Sequence, residues 1–260
     1  MPAVKESSSG DTPRNPRSAT TLVILGVVAA AIFAGLCALG TWQVHRLAWK
    51  RALIAQVEQR AHAPATPAPG RAEWAGLTSG NAEYRRVSAA GVFQYDRQTL
   101  VQAATELGSG YWVMTPLQLA EGGTVLVNRG FVLPEWRKGQ GQAEGSRPPA
   151  QASVTGLLRM GEPGSGFLRN NDPAANLWYS RDLPAIAAAR GLSDVAPYFI
   201  DADAVGGGND PRTAPVGGLT VLAFPNNHLV YAITWYALAA MVLAGAAIFA
   251  REEKRSRRKG

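Results

Sequence analysis

TLVILGVVAAAIFAGLCALG, residues 21–40, and LVYAITWYALAAMVLAGAAIFA, residues 229–250, decide how this chain is organised. Neither stretch contains a charged side chain. Each has about the 20 residues that an α-helix needs to cross a hydrocarbon core. A segment in lipid must satisfy its own backbone hydrogen bonds, so both read as helices. The first is longer than the apolar core of a signal peptide, about 7–15 residues, and reads as a retained span. It continues as TWQVHRLAWKRALIAQVEQR, residues 41–60, where Leu47, Ile54 and Val57 recur at helical spacing. The helix is therefore expected to run on to about Arg60. HAPATPAPG, residues 62–70, breaks it and reads as a semi-rigid linker.

The net charge of +7 is unevenly placed. Residues 251–260 hold six basic and two acidic side chains, next to the second span. Basic flanks stay in the cytoplasm, so the C-terminus is expected there, and with two spans the N-terminus as well. Residues 42–227 then lie outside the cytoplasm. Residues 1–20, rich in Ser, Pro and charge, read as a disordered tail. The basic character belongs to the C-terminal tail, so no basic face for nucleic acid is evident. Cys37 is the only cysteine and lies in the first apolar stretch. The intervening domain thus has neither a disulfide nor a cysteine metal site.

That domain reads as β-rich. Strands are expected at 86–93, 99–103, 111–119, 124–131, 153–158, 198–201 and 219–224. Gly122-Gly123 makes a hairpin of residues 111–131. Residues 183–190 form a short Ala-rich helix stopped by Gly191, and 140–149 and 205–218 are loops. The expected fold is a membrane protein with two transmembrane α-helices flanking a β-rich α+β extracytoplasmic domain.

No G-x-S-x-G, P-loop, H-E-x-x-H or C-x-x-C pattern is present, which lowers the case for an enzyme. The start of the second span, PNNHLVYAITWY, is the most informative place. Asn226 or Asn227 can cap the helix. Tyr231, Ala232 and Trp235 follow His228 by three, four and seven residues and share its face. A neutral imidazole there can ligate haem iron. Equally, the aromatics can form an interfacial belt, with His228 a solvated helix-end residue. On the first span Trp42, Arg46 and Lys50 are spaced by four, with Trp49 alongside. They can flank a ring and pair with carboxylates, or anchor the helix at the membrane surface. Ala31 with Gly35, and Ala240 with Ala244, are small pairs that permit close helix contact.

Six blocks carry a resemblance to a known family. They are LGTWQVHRLAWK (39–50), EYRRVSAAGVF (83–93), GYWVMTPLQLAEGGTVLVNRGFV (110–132), NDPAANLWYSRDLPAIA (171–187), APYFIDA (196–202) and NNHLVYAITWYALA (226–239). In this order and between two spans they resemble the SURF1 family of cytochrome c oxidase assembly factors. One departure is Phe131, where the family pattern usually has Trp; an aromatic is retained, so packing is expected to be kept. The resemblance implies a non-enzymatic assembly role at haem a insertion, with His228 the candidate ligand of haem a iron. Trp235 and Tyr231 would pack the ring, and Trp42 and Arg46 would complete the pocket, Arg46 pairing with a propionate. Implied partners are cytochrome c oxidase subunit I, haem a synthase and membrane lipid. The resemblance also implies a bacterial plasma (inner) membrane, with residues 42–227 in the periplasm. A haem-free structural chaperone for the apo-subunit is the alternative; an extracytoplasmic sensor or an enzyme of unknown chemistry ranks below both.

Overall fold

The computed structural model describes residues 18–162, 164, 169–205, 210–222 and 224–259. The chain divides into two compact units, one holding residues up to Leu53 and from Phe224 on, the other running from Ile54 to Ala223. Most of the tail expected at 1–20, and part of the loop expected at 205–218, lie outside the described residues. In chain order the elements are α1 (Ala19–His62), β1 (Thr66–Pro67), α2 (Ser79–Ala82), β2 (Arg86–Phe93), β3 (Thr99–Thr105), β4 (Gly108–Leu119), β5 (Thr124–Val132), α3 (Pro134–Lys138), α4 (Gln140–Gly145), β6 (Ala150–Met160), α5 (Leu183–Arg190), β7 (Val195–Ala202) and α6 (His228–Lys259).

α1 is one continuous helix of 44 residues. At 1.5 Å per residue it is about 66 Å long, roughly twice what a hydrocarbon core requires. It ends where sequence demands: Pro64 disfavours helical backbone in the residue before it. α1 and α6 are both long and apolar enough to cross a membrane.

In the second unit, β2 pairs with β6, β6 with β7, β7 with β5 and β5 with β4. β4 then returns to β2 through residues 117–119 against 91–93, so five strands close into a barrel. β3 adds to β4, and β1 adds parallel to the start of β2. The pair β5–β7 is parallel and the barrel's other pairings are antiparallel. Closure needs Gly91, because a Cβ there would lie 2.2 Å from the Gln118 carbonyl oxygen.

Period-two alternation sorts the side chains. Val125 and Val127 of β5, and Ala196, Tyr198 and Ile200 of β7, join the buried interior with Val87, Phe93, Leu117 and Leu158. Leu126 and Phe199 point the other way and are covered by Trp178 and by Leu183 and Ile186 of α5. α5 is built as its sequence suggests: the Asp182 carboxylate accepts from Ala185 N at 3.1 Å, Pro184 lies in its first turn, and Gly191 takes the left-handed conformation that ends it. Phe131 is fully buried, edge-on to Trp112 at 5.8 Å, so the aromatic contact expected there is kept.

Three expectations are corrected. Residues 219–222 and 224 form no strand. β7 already has β6 on one side and β5 on the other, so it offers no edge for a further strand. The linker at 62–70 is stitched to the barrel through β1, and Ala68 N donates to Ser88 O. The polar segment at 140–149 contains α4, whose Glu144 is drawn to Arg129 at 2.8 Å.

One carboxylate crosses several of these elements. Asp201 of β7 accepts from Asn128 Nδ2 of β5 at 2.7 Å, from Arg159 Nη1 of β6 at 3.3 Å and from Thr220 Oγ1 at 3.0 Å, and Arg181 Nη1 lies 3.5 Å away. Asp201 is 6% exposed. Asp201→Ala leaves buried cationic and amide groups without their acceptor and should cost about 3–5 kcal/mol. Thermal unfolding of the full chain should show a clearly lower Tm; a Tm equal to the parent's would mean the network is not structural.

Candidate functional site

Within the first unit α1 and α6 pack against each other. Gly40, Gln43, Leu47 and Lys50 recur at intervals of three and four along α1, which puts them on one face. Gly40 is buried because the Tyr236 ring lies on it; a Cβ at Gly40 would sit 2.9 Å from that ring. Thr41 Oγ1 and Tyr236 Oη are 3.0 Å apart, and Lys50 Nζ donates to the Pro225 carbonyl. On α6 the buried positions are Ala232 and Ala239, each 2% exposed, with Trp235 half-buried between them. His228 lies on this same face, one turn before Ala232. The expected small pairs are not the contact. Ala31, Gly35, Ala240 and Ala244 are exposed, and the close approach uses Gly40 and the two alanines of α6.

His228 is the first residue of α6, and Tyr231 N donates to the carbonyl of Asn227 ahead of it. Its Nδ1 lies 2.7 Å from Oε1 of Gln43 on α1. The histidine is therefore held by the other helix rather than standing free at a helix end. Two residues earlier, Asn226 Oδ1 is buried and has no hydrogen-bond partner among the described residues. A buried acceptor without a donor is costly and suits a group that arrives with one.

The other residues singled out by sequence divide. Trp235 shares the His228 face and is half-buried. Tyr231 is 54% exposed and Trp42 57% exposed, and neither belongs to the helix–helix contact. Arg46 is exposed, with its guanidinium 4.1 Å above the Trp49 ring, and it has no carboxylate partner among the described residues. Its aromatic partner is Trp49. His45 is exposed, and His62 closes the end of α1 with Nδ1 2.8 Å from the Glu58 carbonyl. Sequence reasoning missed Gln43. The three- and four-residue spacing of Gly40, Gln43 and Leu47 was the available signal, obscured by the more conspicuous Trp42–Arg46–Lys50 row.

The second unit holds a cavity of about 910 Å³. There Arg129 follows Val125 and Val127 along β5 and meets Glu144, with Phe93 and Trp136 in the wall. Among the described residues the lining contains no His, Cys, Met or Tyr, and so no side chain suited to ligate haem iron. Among the described residues no three His, Cys, Asp or Glu side chains gather as a metal site.

The helix contact has a direct test. Gly40→Val puts a branched side chain where the Tyr236 ring lies, and overpacking of this kind costs about 1–3 kcal/mol. Spin labels on exposed positions beside Gly40 of α1 and Tyr236 of α6 should report a longer and broader distance than in the parent. An unchanged distribution would mean that Gly40 does not set the approach.

Comparison with known proteins agrees with the order of blocks in the sequence. The model of the SURF1 family matches residues 30–240. Surfeit locus protein 1 of Homo sapiens is 37% identical over 227 residues, covering 78% of this chain and 69% of that protein. Surfeit locus protein 1 of Rattus norvegicus is 36% identical over 223 residues, covering 78% and 68%. A SURF1-like protein of Monosiga brevicollis is 36% identical over 223 residues, covering 79% and 80%. A family match across the barrel and into both terminal helices, with relatives above one-third identity over most of their length, places this chain in the SURF1 family.

Proposed function

We propose that this chain is a membrane-anchored, non-enzymatic assembly factor for cytochrome c oxidase that holds haem a between the outer ends of its two spans before the haem enters subunit I. The observation that carries this reading is the contact of His228 with Gln43 at 2.7 Å. It fixes a potential iron ligand on the inner face of a helix pair, whereas an interfacial anchor needs no such partner. The neighbouring groups fit the same ligand. Among the described residues Trp235 offers a flat apolar surface on the His228 face, Asn226 Oδ1 an unused acceptor, and Arg46 a cation without a carboxylate.

When bound, haem a supplies the redox-active iron; this chain supplies binding and orientation alone. His228 would give an imidazole nitrogen, Trp235 would pack against the ring, and Arg46 would answer a propionate charge. Delivery then calls for contact with subunit I, and loading for contact with haem a synthase. A haem-free chaperone for the apo-subunit is the second reading. It is favoured by the exposure of Trp42 and Tyr231, which suits interfacial anchoring.

Purification of His228→Ala from cells making haem a separates the two. Haem content should fall close to zero, while Trp235→Phe, which keeps an aromatic surface, should retain most of it. Full haem with an unchanged absorption spectrum in His228→Ala would reject the ligand.

The basic flank at residues 251–259 supports cytoplasmic termini and a barrel on the other side of the membrane, which we place in a bacterial plasma membrane with the barrel in the periplasm. Alkaline phosphatase, which is active only in the periplasm, should be inactive when fused after Gly260 and active when inserted after Gly122. The reverse pattern would invert the topology.

A further inference from the structure

We infer that Gln43 is the positioning residue that holds His228 as the Nδ1–H tautomer and so leaves Nε2 as the nitrogen free for iron. The tautomer follows from the helix contact alone; its consequence for iron rests on the haem-binding reading above. Nδ1 of His228 is 2.7 Å from Oε1 of Gln43. An amide oxygen accepts and cannot donate, so the proton of this bond belongs to Nδ1. A neutral imidazole carries one N–H, and its other nitrogen then has a lone pair. Rotation of the ring about Cβ–Cγ would break this bond, so Gln43 sets direction as well as tautomer.

The placement of Gln43 is itself constrained. It lies between Gly40, which is pressed against Tyr236, and Leu47, which is 8% exposed, on the face of α1 that meets α6. Lys50, one turn further, donates to Pro225, three residues before His228. The outer end of α6 is thus tied to α1 at two levels, and the amide of Gln43 is held where His228 begins.

The choice of an amide has a chemical consequence. Histidines that ligate metals commonly donate their second N–H to a carboxylate or a carbonyl, which fixes the ring and raises its basicity. A carboxylate pulls the proton harder and makes the imidazole a stronger donor to iron. A neutral amide orients the ring with a weaker push, which suits a site that must hold haem and then release it. Gln43→Glu should therefore give a tighter-held haem with a lower midpoint potential. Gln43→Leu, which keeps the volume and loses the acceptor, should weaken haem retention about 10- to 100-fold.

The test has two stages. First, the haem-free full chain with 15N-histidine is placed in lipid nanodiscs. NMR should show a resonance, absent from His228→Ala, with a protonated Nδ1 and an unprotonated Nε2. An Nε2–H tautomer, which results if the Gln43 amide presents its NH2 group instead, overturns the inference. So does an Nδ1–H signal that persists in Gln43→Leu. Second, the haem-loaded chain is titrated. A lower midpoint potential in Gln43→Glu and weakened retention in Gln43→Leu support the inference, because a merely structural glutamine would not move the potential with the charge of its replacement. Unchanged values in both variants overturn it even if His228→Ala loses its haem. If His228→Ala keeps its haem, the haem-binding reading falls, and the role of Gln43 toward iron with it, while the NMR result still decides the tautomer.

Discussion

In the second unit, one buried carboxylate receives side chains from elements far apart in sequence. Asp201 faces away from the barrel interior, next to Ile200, which faces into it. Around it converge Asn128 of β5, Arg159 of β6, Arg181 just before α5, and Thr220 of the segment that follows the barrel. β5 and β7 are the parallel neighbours, which cannot be joined by a tight turn and need a long crossover. Asp201 bonds across that pair, where no hairpin enforces register. Its cationic partners are themselves shared: Arg159 donates to Glu83 at 2.7 Å, and Arg181 pairs with Glu162. Burial pushes the Glu162 carboxyl up, and the bonds from Arg181 outweigh this and hold it below its usual value. The network therefore works as charged groups that satisfy one another, not as isolated bridges at a wet surface.

The first unit depends on a different constraint. In lipid there is no hydrophobic drive for two helices to associate, so close packing and interhelical hydrogen bonds must do it. Both are present where residues 40–43 of α1 meet residues 228–236 of α6. Gly40 permits the approach, Tyr236 and Thr41 exchange a hydrogen bond, and Gln43 meets His228. Towards the other ends the helices leave open space beside the small residues: a Cβ at Gly26, Gly35 or Gly245 would meet nothing within 4 Å among the described residues. Tight packing thus belongs to the stretch of α6 from His228 to Ala239 and the turns of α1 that face it.

Much of the barrel was legible because its strands follow strict alternation and its turns carry glycine. Residues 86–93 and the helix at 183–190 have the bounds that pattern and capping suggested, and Gly122-Gly123 marked the hairpin. Closure was not legible. It depends on Gly91 meeting the Gln118 carbonyl, and a lone glycine in a strand carries no label for its partner. The strand expected at 219–224 failed for the same reason, since an apolar alternating run says nothing about whether an edge is free. At the candidate site, His228 and Trp235 were readable from helical spacing. Gln43 was not, because its role exists only once two helices 185 positions apart in sequence are brought together. Arg46 was legible as a cation near the site, but its stacking on Trp49 depends on side-chain direction rather than spacing.

The family supports a part in building the oxidase, and the helix pair holds the His228 ring against Gln43. The most direct measurement is pulsed electron paramagnetic resonance on the oxidised full chain, purified from cells making haem a and carrying 15N-histidine. The account predicts haem that co-purifies, with a strong nitrogen coupling from one histidine that disappears in His228→Ala and persists when His45 and His62 are replaced. Haem bound without coupling to His228, or a chain that carries no haem from such cells, would contradict it.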